Sequence, residues 1–176
     1  LKGSSGSGKS TLVDIICGLL KPSKGSVHFE DIQGNMFMES IKIAYVTQGA
    51  QIFSGSIQEN ITLFARPHEI KEDKINGAID GAGIGNHFID RVEGGLLADV
   101  GDRGSNLSGG QRQRIAIARA LYTSPAVLIL DEATSGLEQS AQMQILKALK
   151  SQLSDKIVII ISHDPSVYSL AEGRLV

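Results

Sequence analysis

Gly3-Ser4-Ser5-Gly6-Ser7-Gly8-Lys9-Ser10-Thr11 decides the reading of this chain. Residues 3–10 fit G-x-x-x-x-G-K-[ST] without a mismatch. Small residues let a loop wrap round a phosphate with its N–H groups turned inward. A helix starting near Lys9 adds the positive end of its dipole. In such a cradle Lys9 serves the β- and γ-phosphates, the Ser10 hydroxyl suits Mg²⁺, and Thr11 helps hold the α-phosphate side. A flexible Ser/Gly terminus has a similar composition. It has no reason, however, to continue as Lys9-Ser10-Thr11-Leu12-Val13-Asp14-Ile15-Ile16, where an apolar helix begins at once. A phosphate loop normally follows a strand. Only Leu1 and Lys2 precede Gly3, so the expectation is a larger domain truncated at its N-terminus.

Outside that loop, composition sets bounds. The 176 residues include 17 Lys+Arg and 19 Asp+Glu, for a net charge of -2. At ~100–200 residues per domain this is one domain. A 41% hydrophobic content supplies a core, and 20% charged residues do not suggest disorder. The near-neutral balance argues against a domain built to bind nucleic-acid phosphates. One Cys excludes a disulfide framework within the chain. No run approaches 18 apolar residues, the length a membrane helix needs, and no signal peptide is visible. The 20 glycines are in excess. They gather in loops, with one cluster at Gly3, Gly6 and Gly8 and another at Gly101, Gly104, Gly109 and Gly110.

Four runs read as strands: Ser26–Glu30, Ile41–Thr47, Ala126–Asp131 and Lys156–Ile161. The last two are continuous Val/Ile/Leu runs, which suits strands buried on both faces of a parallel sheet. Helices are expected at Lys9–Leu20, Ser56–Phe64, Glu69–Asp80, Gly109–Tyr122 and Gln139–Leu153. The alternation predicts an α/β fold. From about Ser54 to Asn106 helices occur without a convincing strand, which predicts a helical insertion.

Two further motifs carry chemistry. Val127-Leu128-Ile129-Leu130-Asp131-Glu132 is an apolar strand ending in two carboxylates, where open α/β sheets place their ligands. Asp131 suits Mg²⁺, and Glu132 suits polarising a water that attacks a γ-phosphate. A lone Asp-Glu pair is more often a solvated strand end, but here a phosphate loop shares the chain. Leu107-Ser108-Gly109-Gly110-Gln111 precedes a basic helix. Ser108 and Gln111 form a capping-box pattern. Two consecutive glycines cost helix propensity and make sense where a backbone or phosphate comes close. Arg112, Arg114 and Arg119 read as a solvated helix face, since no aromatic interleaving supports a nucleic-acid patch. Cys17 reads as a small apolar residue, and His28, His68 and His87 as surface imidazoles.

With LSGGQ at Leu107–Gln111, the chain resembles the nucleotide-binding domain of ATP-binding cassette (ABC) transporters. GSSGSGKST matches the family's Walker A loop and VLILDE its Walker B strand. YVTQ places Gln48 at the Q-loop, Ser135–Glu138 lies at the D-loop, and SHD places His163 at the switch histidine. Phe53–Ile61 and Asp99–Gly104 resemble segments of the exporter branch, so the resemblance is to an exporter, and to a bacterial one. It implies a P-loop NTPase fold, with a mostly parallel RecA-like sheet and an inserted helical subdomain at about 54–124 carrying the signature.

The resemblance also implies a mechanism. Two domains pair head to tail around two Mg-ATP. Gly3, Ser4, Ser5, Gly6, Ser7, Gly8, Lys9, Ser10 and Thr11 bind ATP in cis, and Ser108, Gly109, Gly110 and Gln111 in trans. Ser10, Gln48 and Asp131 attend Mg²⁺, and Lys9, Gln48, Glu132 and His163 carry catalysis. The implied partners are a second nucleotide-binding domain and a transmembrane domain, fused or separate, with no nucleic acid. The implied place is the cytoplasmic face of the inner or plasma membrane. The D-loop departs from the family at Gly136 and Glu138, and the stretches 31–40 and 164–172 are short. The adenine-stacking aromatic of the family lies upstream of Leu1. Two other readings compete: a non-transport ABC clamp, which lacks its coiled-coil insertions here, and a non-hydrolysing ATP-binding module.

Overall fold

The computed structural model describes residues 1, 6–30, 33–34, 36, 41–85 and 92–170. The described helices are α1 (Lys9–Ile16), α2 (Ile57–Thr62), α3 (Glu72–Gly81), α4 (Gly109–Tyr122), α5 (Gln139–Gln152) and the single turn α6 (Pro165–Tyr168). The strands are β1 (Ile43–Thr47), β2 (Val127–Asp131) and β3 (Ile157–Ile161). They form a parallel sheet in the order β1-β2-β3. Parallel neighbours need long crossovers. The connection from β1 to β2 carries the helical segment and α4, and α5 joins β2 to β3.

The continuous run in β2 has the consequence its composition predicts. Val127, Leu128, Ile129 and Leu130 are all buried. Successive side chains leave opposite faces of a strand, so one strand serves two cores. Leu128 and Leu130 face a cluster with Ile115 and Ile117 of α4 and Ile145 and Leu149 of α5. Val127 and Ile129 join Val13 of α1 and Ile161 of β3 on the other side. Each fully buried side chain contributes about 1.5–3 kcal/mol of transfer free energy.

The register aligns the ends of the strands. Thr47, Asp131 and Ile161 lie side by side on the three strands. The next residues of each chain segment, Gln48, Glu132 and Ser162-His163, therefore emerge at one edge. Sheet order, more than local sequence, assembles this edge from three distant segments.

Three expectations need correction. Ser26–Glu30 is not a ladder strand: among the described residues it makes one antiparallel bridge, Glu30 to Met36. Val27 is exposed, His28 bonds to nearby Ser26, and Phe29 alone of the segment packs, half-buried, on the Val13 cluster, so no fully buried face fixes a register. Helix α1 stops at Ile16 rather than Leu20, because Gly18 takes a left-handed φ of 72° and Leu19 and Leu20 turn back to the Asp14 carbonyl. The expected helix at Glu69 divides into a 3-10 turn at Pro67–Glu69 and α3 from Glu72.

Candidate active site

Gly3, Ser4 and Ser5 of the predicted phosphate cradle lie outside the described residues. Gly6 and Gly8 have φ of 77° and 86°. L side chains rarely adopt that conformation, so the turn into α1 needs glycine at both positions. Gly8 is the N-cap of α1, and Lys9, Ser10 and Thr11 form its first turn. Val13 anchors the helix on the sheet face of Val127 and Ile129.

Asp131 ends β2, and its Oδ2 accepts a hydrogen bond from the Tyr45 hydroxyl at 2.9 Å. Burial, this hydrogen bond and nearby acidic charge push the Tyr45 hydroxyl up to about 12, so it remains a donor. Glu132 is not the last residue of the strand. It has φ of 49°, in the left-handed region that a side chain normally avoids. Its backbone is held on both sides: the N–H donates to the Ile161 carbonyl at 2.9 Å, and its carbonyl accepts from the Ser135 hydroxyl at 2.8 Å. Such conformations persist where the surroundings over-determine them.

The side chain of Glu132 meets His163, with Oε1 to Nε2 at 3.0 Å. Gln48 Nε2 donates to Ser135 Oγ at 3.4 Å. The structure therefore links Gln48, Ser135, Glu132 and His163 along the edge of the three strands, with Asp131 and Tyr45 alongside.

Ser108 to Gln111 form a separate unit. Ser108 N-caps α4, accepting from the Gln111 N–H at 3.3 Å, while the Ser108 N–H donates to Gln111 Oε1 at 2.7 Å. A Cβ on Gly110 would lie 3.2 Å from Leu137, so this glycine admits the loop that follows Glu132. A Cβ on Gly109 would meet only the tip of Arg112, at 4.0 Å. Among the described residues, no hydrogen bond or ion pair joins Ser108–Gln111 to Glu132 or His163.

The three arginines of α4 do not form a solvated face. No residue from Gly110 to Tyr122 is exposed. Arg112 donates to the Leu107 and Gly104 carbonyls, and Arg114 to the Gly83 carbonyl. Arg119 donates to the carbonyls of Asn60 and Gln51 and to Asn60 Oδ1, each at 2.8 Å, and lies 4.9 Å from the Phe53 ring centroid. Sequence reading missed this cluster, and it placed Tyr45 and Ser135 within the YVTQ and D-loop segments without their contacts to Asp131, Gln48 and Glu132. The near-continuous apolar run Ile115-Ala116-Ile117-Ala118 was the available signal, since a helix apolar all round is buried.

Beside Gln48, a groove of about 400 Å³ is lined by residues including Ala44, Gly49, Ala50, Leu63, Ala116 and Arg119. Among the described residues, no helix is long and apolar enough to cross a membrane.

Comparison with known proteins places this geometry. The family model described as ABC transporter matches residues 1–135. The chain belongs to the ABC transporter family. Its ABC domain has the P-loop NTPase fold, with a parallel sheet and an inserted helical segment carrying the signature. It is 41% identical over 177 residues to a "putative export ATP-binding/permease protein" of Rickettsia felis, covering 99% of this chain and 30% of that protein. It is 40% identical over 177 residues to "ABC transporter B family member 14" of Arabidopsis thaliana, covering 99% of this chain and 14% of that one. Among solved structures, a bacterial Atm1-family ABC exporter with ATP bound aligns at a TM-score of 0.79 and 31% identity, over 95% of this chain and 30% of that chain. The ABC domain thus spans less than a third of the relatives it matches.

Proposed function

We propose that this chain is the ATP-hydrolysing motor of an ABC exporter, which pairs with a second such domain around two Mg-ATP and drives a transmembrane domain. The observation that carries the reading is the convergence of Gln48, Asp131, Glu132 and His163 at one sheet edge. The exporter relatives support the same reading. The hard oxygen donors of Ser10 and Asp131 fit Mg²⁺, which takes one or two protein oxygens and completes its shell with phosphates and water.

In this reading Gly3 to Thr11 bind the triphosphate, with Lys9 at the β- and γ-phosphates. Mg²⁺, when bound, neutralises charge on the phosphate oxygens. Glu132 orients the attacking water and takes its proton as the oxygen bonds to the γ-phosphorus and the bond to the β-phosphate oxygen breaks. His163 holds Glu132 and contacts the γ-phosphate, and Gln48 senses the metal and water. Ser108, Gly109, Gly110 and Gln111 complete the site of the partner domain. Residues 54–124 act as the helical subdomain. The groove beside Gln48 receives the transmembrane domain at the cytoplasmic face of the membrane.

The test is Mg²⁺-dependent phosphate release by the full-length protein in membranes, with detergent-free fractionation alongside. Hydrolysis by a membrane-bound protein supports the exporter motor. ATP binding without hydrolysis would favour the non-hydrolysing module, and a soluble full-length protein would favour the clamp.

A further inference from the structure

Tyr45 has no place in the mechanism above, yet it touches one of its carboxylates. It pairs in register with Ile129, two residues before Asp131. Side chains two apart leave the same face of a strand, so Tyr45 and Asp131 are diagonal neighbours, within reach of a long aromatic side chain. The ring packs in the cluster with Val13, Val127, Ile129 and Ile161, which fixes the direction of the hydroxyl. That hydroxyl donates to Asp131 Oδ2 at 2.9 Å. The bond restrains rotation of the carboxylate and leaves Oδ1 without this partner.

We propose that Tyr45 is a positioning residue for the divalent cation of the bound nucleotide, holding the Asp131 carboxylate in the orientation from which it takes the metal. The inference rests on the assignment of Asp131 to Mg²⁺. Groups that hydrogen-bond a metal-binding carboxylate orient it, and their loss typically weakens metal binding by about 10–100-fold. Phenylalanine at position 45 keeps the ring packing and removes only the bond.

The experiment uses the full-length protein and reads binding rather than turnover. Free Mn²⁺ is titrated by electron paramagnetic resonance in the presence of a non-hydrolysable ATP analogue. Trinitrophenyl-ATP binding in EDTA is measured in parallel, for wild type, Tyr45→Phe and Asp131→Asn. The expected result is a roughly tenfold rise in the Mn²⁺ half-saturation of Tyr45→Phe, at the lower end of that range. Metal-free nucleotide binding should stay unchanged, and Asp131→Asn should show at least as large a rise. An unchanged Mn²⁺ titration in Tyr45→Phe with a shifted one in Asp131→Asn overturns the role of Tyr45 and leaves that of Asp131. No shift in either variant overturns the Asp131 assignment and the inference with it. A parallel loss of metal-free nucleotide binding in Tyr45→Phe shows a structural role only, and also overturns the proposal.

Discussion

His163 Nε2 stands 3.0 Å from Glu132 Oε1, bridging the ends of two neighbouring parallel strands. The backbone makes the same crossing, with the Glu132 N–H on the Ile161 carbonyl. The carboxylate is thus oriented twice, through its backbone and through its tip. His163 is 58% exposed on its side chain, so the pair adds little to stability. His163→Ala should therefore lower the free energy of unfolding by no more than ~1 kcal/mol. Its ATP turnover should fall by about 100-fold or more, the scale of losing a group that positions proton transfer. Phosphate release and thermal unfolding on the same preparation check both halves. A large stability loss with turnover intact would mean that the pair is structural.

The separation of Ser108–Gln111 from Glu132 and His163 within one chain leads to a complementation test. In the proposed dimer, Ser108→Arg and Lys9→Ala each damage a different half of a composite site. Each variant alone should be inactive as a dimer. Mixed, they should recover partial phosphate release, because one of the two sites then joins an intact cradle to an intact signature. Absence of rescue at every mixing ratio, with both variants folded, would count against a site shared between subunits.

Much of this edge was legible in the sequence. The continuous apolar run at Ala126–Asp131 announced two-faced burial, and the cradle, acid pair and signature were readable as motifs. The run at Lys156–Ile161 met that expectation only in part, because β3 ends the described sheet, with Ile157 exposed and Val158, Ile159 and Ile160 half-buried. What the sequence could not show depended on contacts between distant segments. The left-handed φ of Glu132 is held by the distant Ile161 carbonyl together with a local turn, in which the Ser135 N–H and hydroxyl both donate to the Glu132 carbonyl. The bond between Tyr45 and Asp131 depends on the register of two strands more than 80 residues apart along the chain. Charge on the arginines of α4 signals solvent in the sequence, whereas in the structure their long stems reach backbone carbonyls from within a packed helix. Ser26–Glu30 failed as a strand for the opposite reason: its alternation was local, and the half-buried Phe29 was not enough to fix a register.

Asn60 shows how such a contact bears on stability. It is fully buried. Its Oδ1 accepts from the Phe53 N–H at 2.9 Å and from Arg119 at 2.8 Å, and its Nδ2 donates to the Phe53 and Ser56 carbonyls at 2.8 and 3.0 Å. Alanine would leave a backbone donor and a guanidinium without this acceptor. Each buried group left unpaired costs about 1–3 kcal/mol. Asn60→Ala should therefore destabilise by about 3 kcal/mol. That corresponds to roughly 6–12 °C in the unfolding temperature of a domain of this size. Scanning calorimetry checks it, and a shift smaller than about 2 °C would mean that water replaces the lost amide.

The role of Glu132 in hydrolysis is open to a single comparison. Glutamine keeps the size of the side chain and removes its ability to take a proton. The measurement is phosphate release from Mg-ATP by the full-length Glu132→Gln protein, with bound nucleotide and oligomeric state followed in the same sample. Release should fall by at least about 100-fold, while ATP stays bound and the paired, ATP-occupied form accumulates. Wild-type phosphate release from that variant would contradict the assignment of Glu132 and the hydrolytic mechanism built on it.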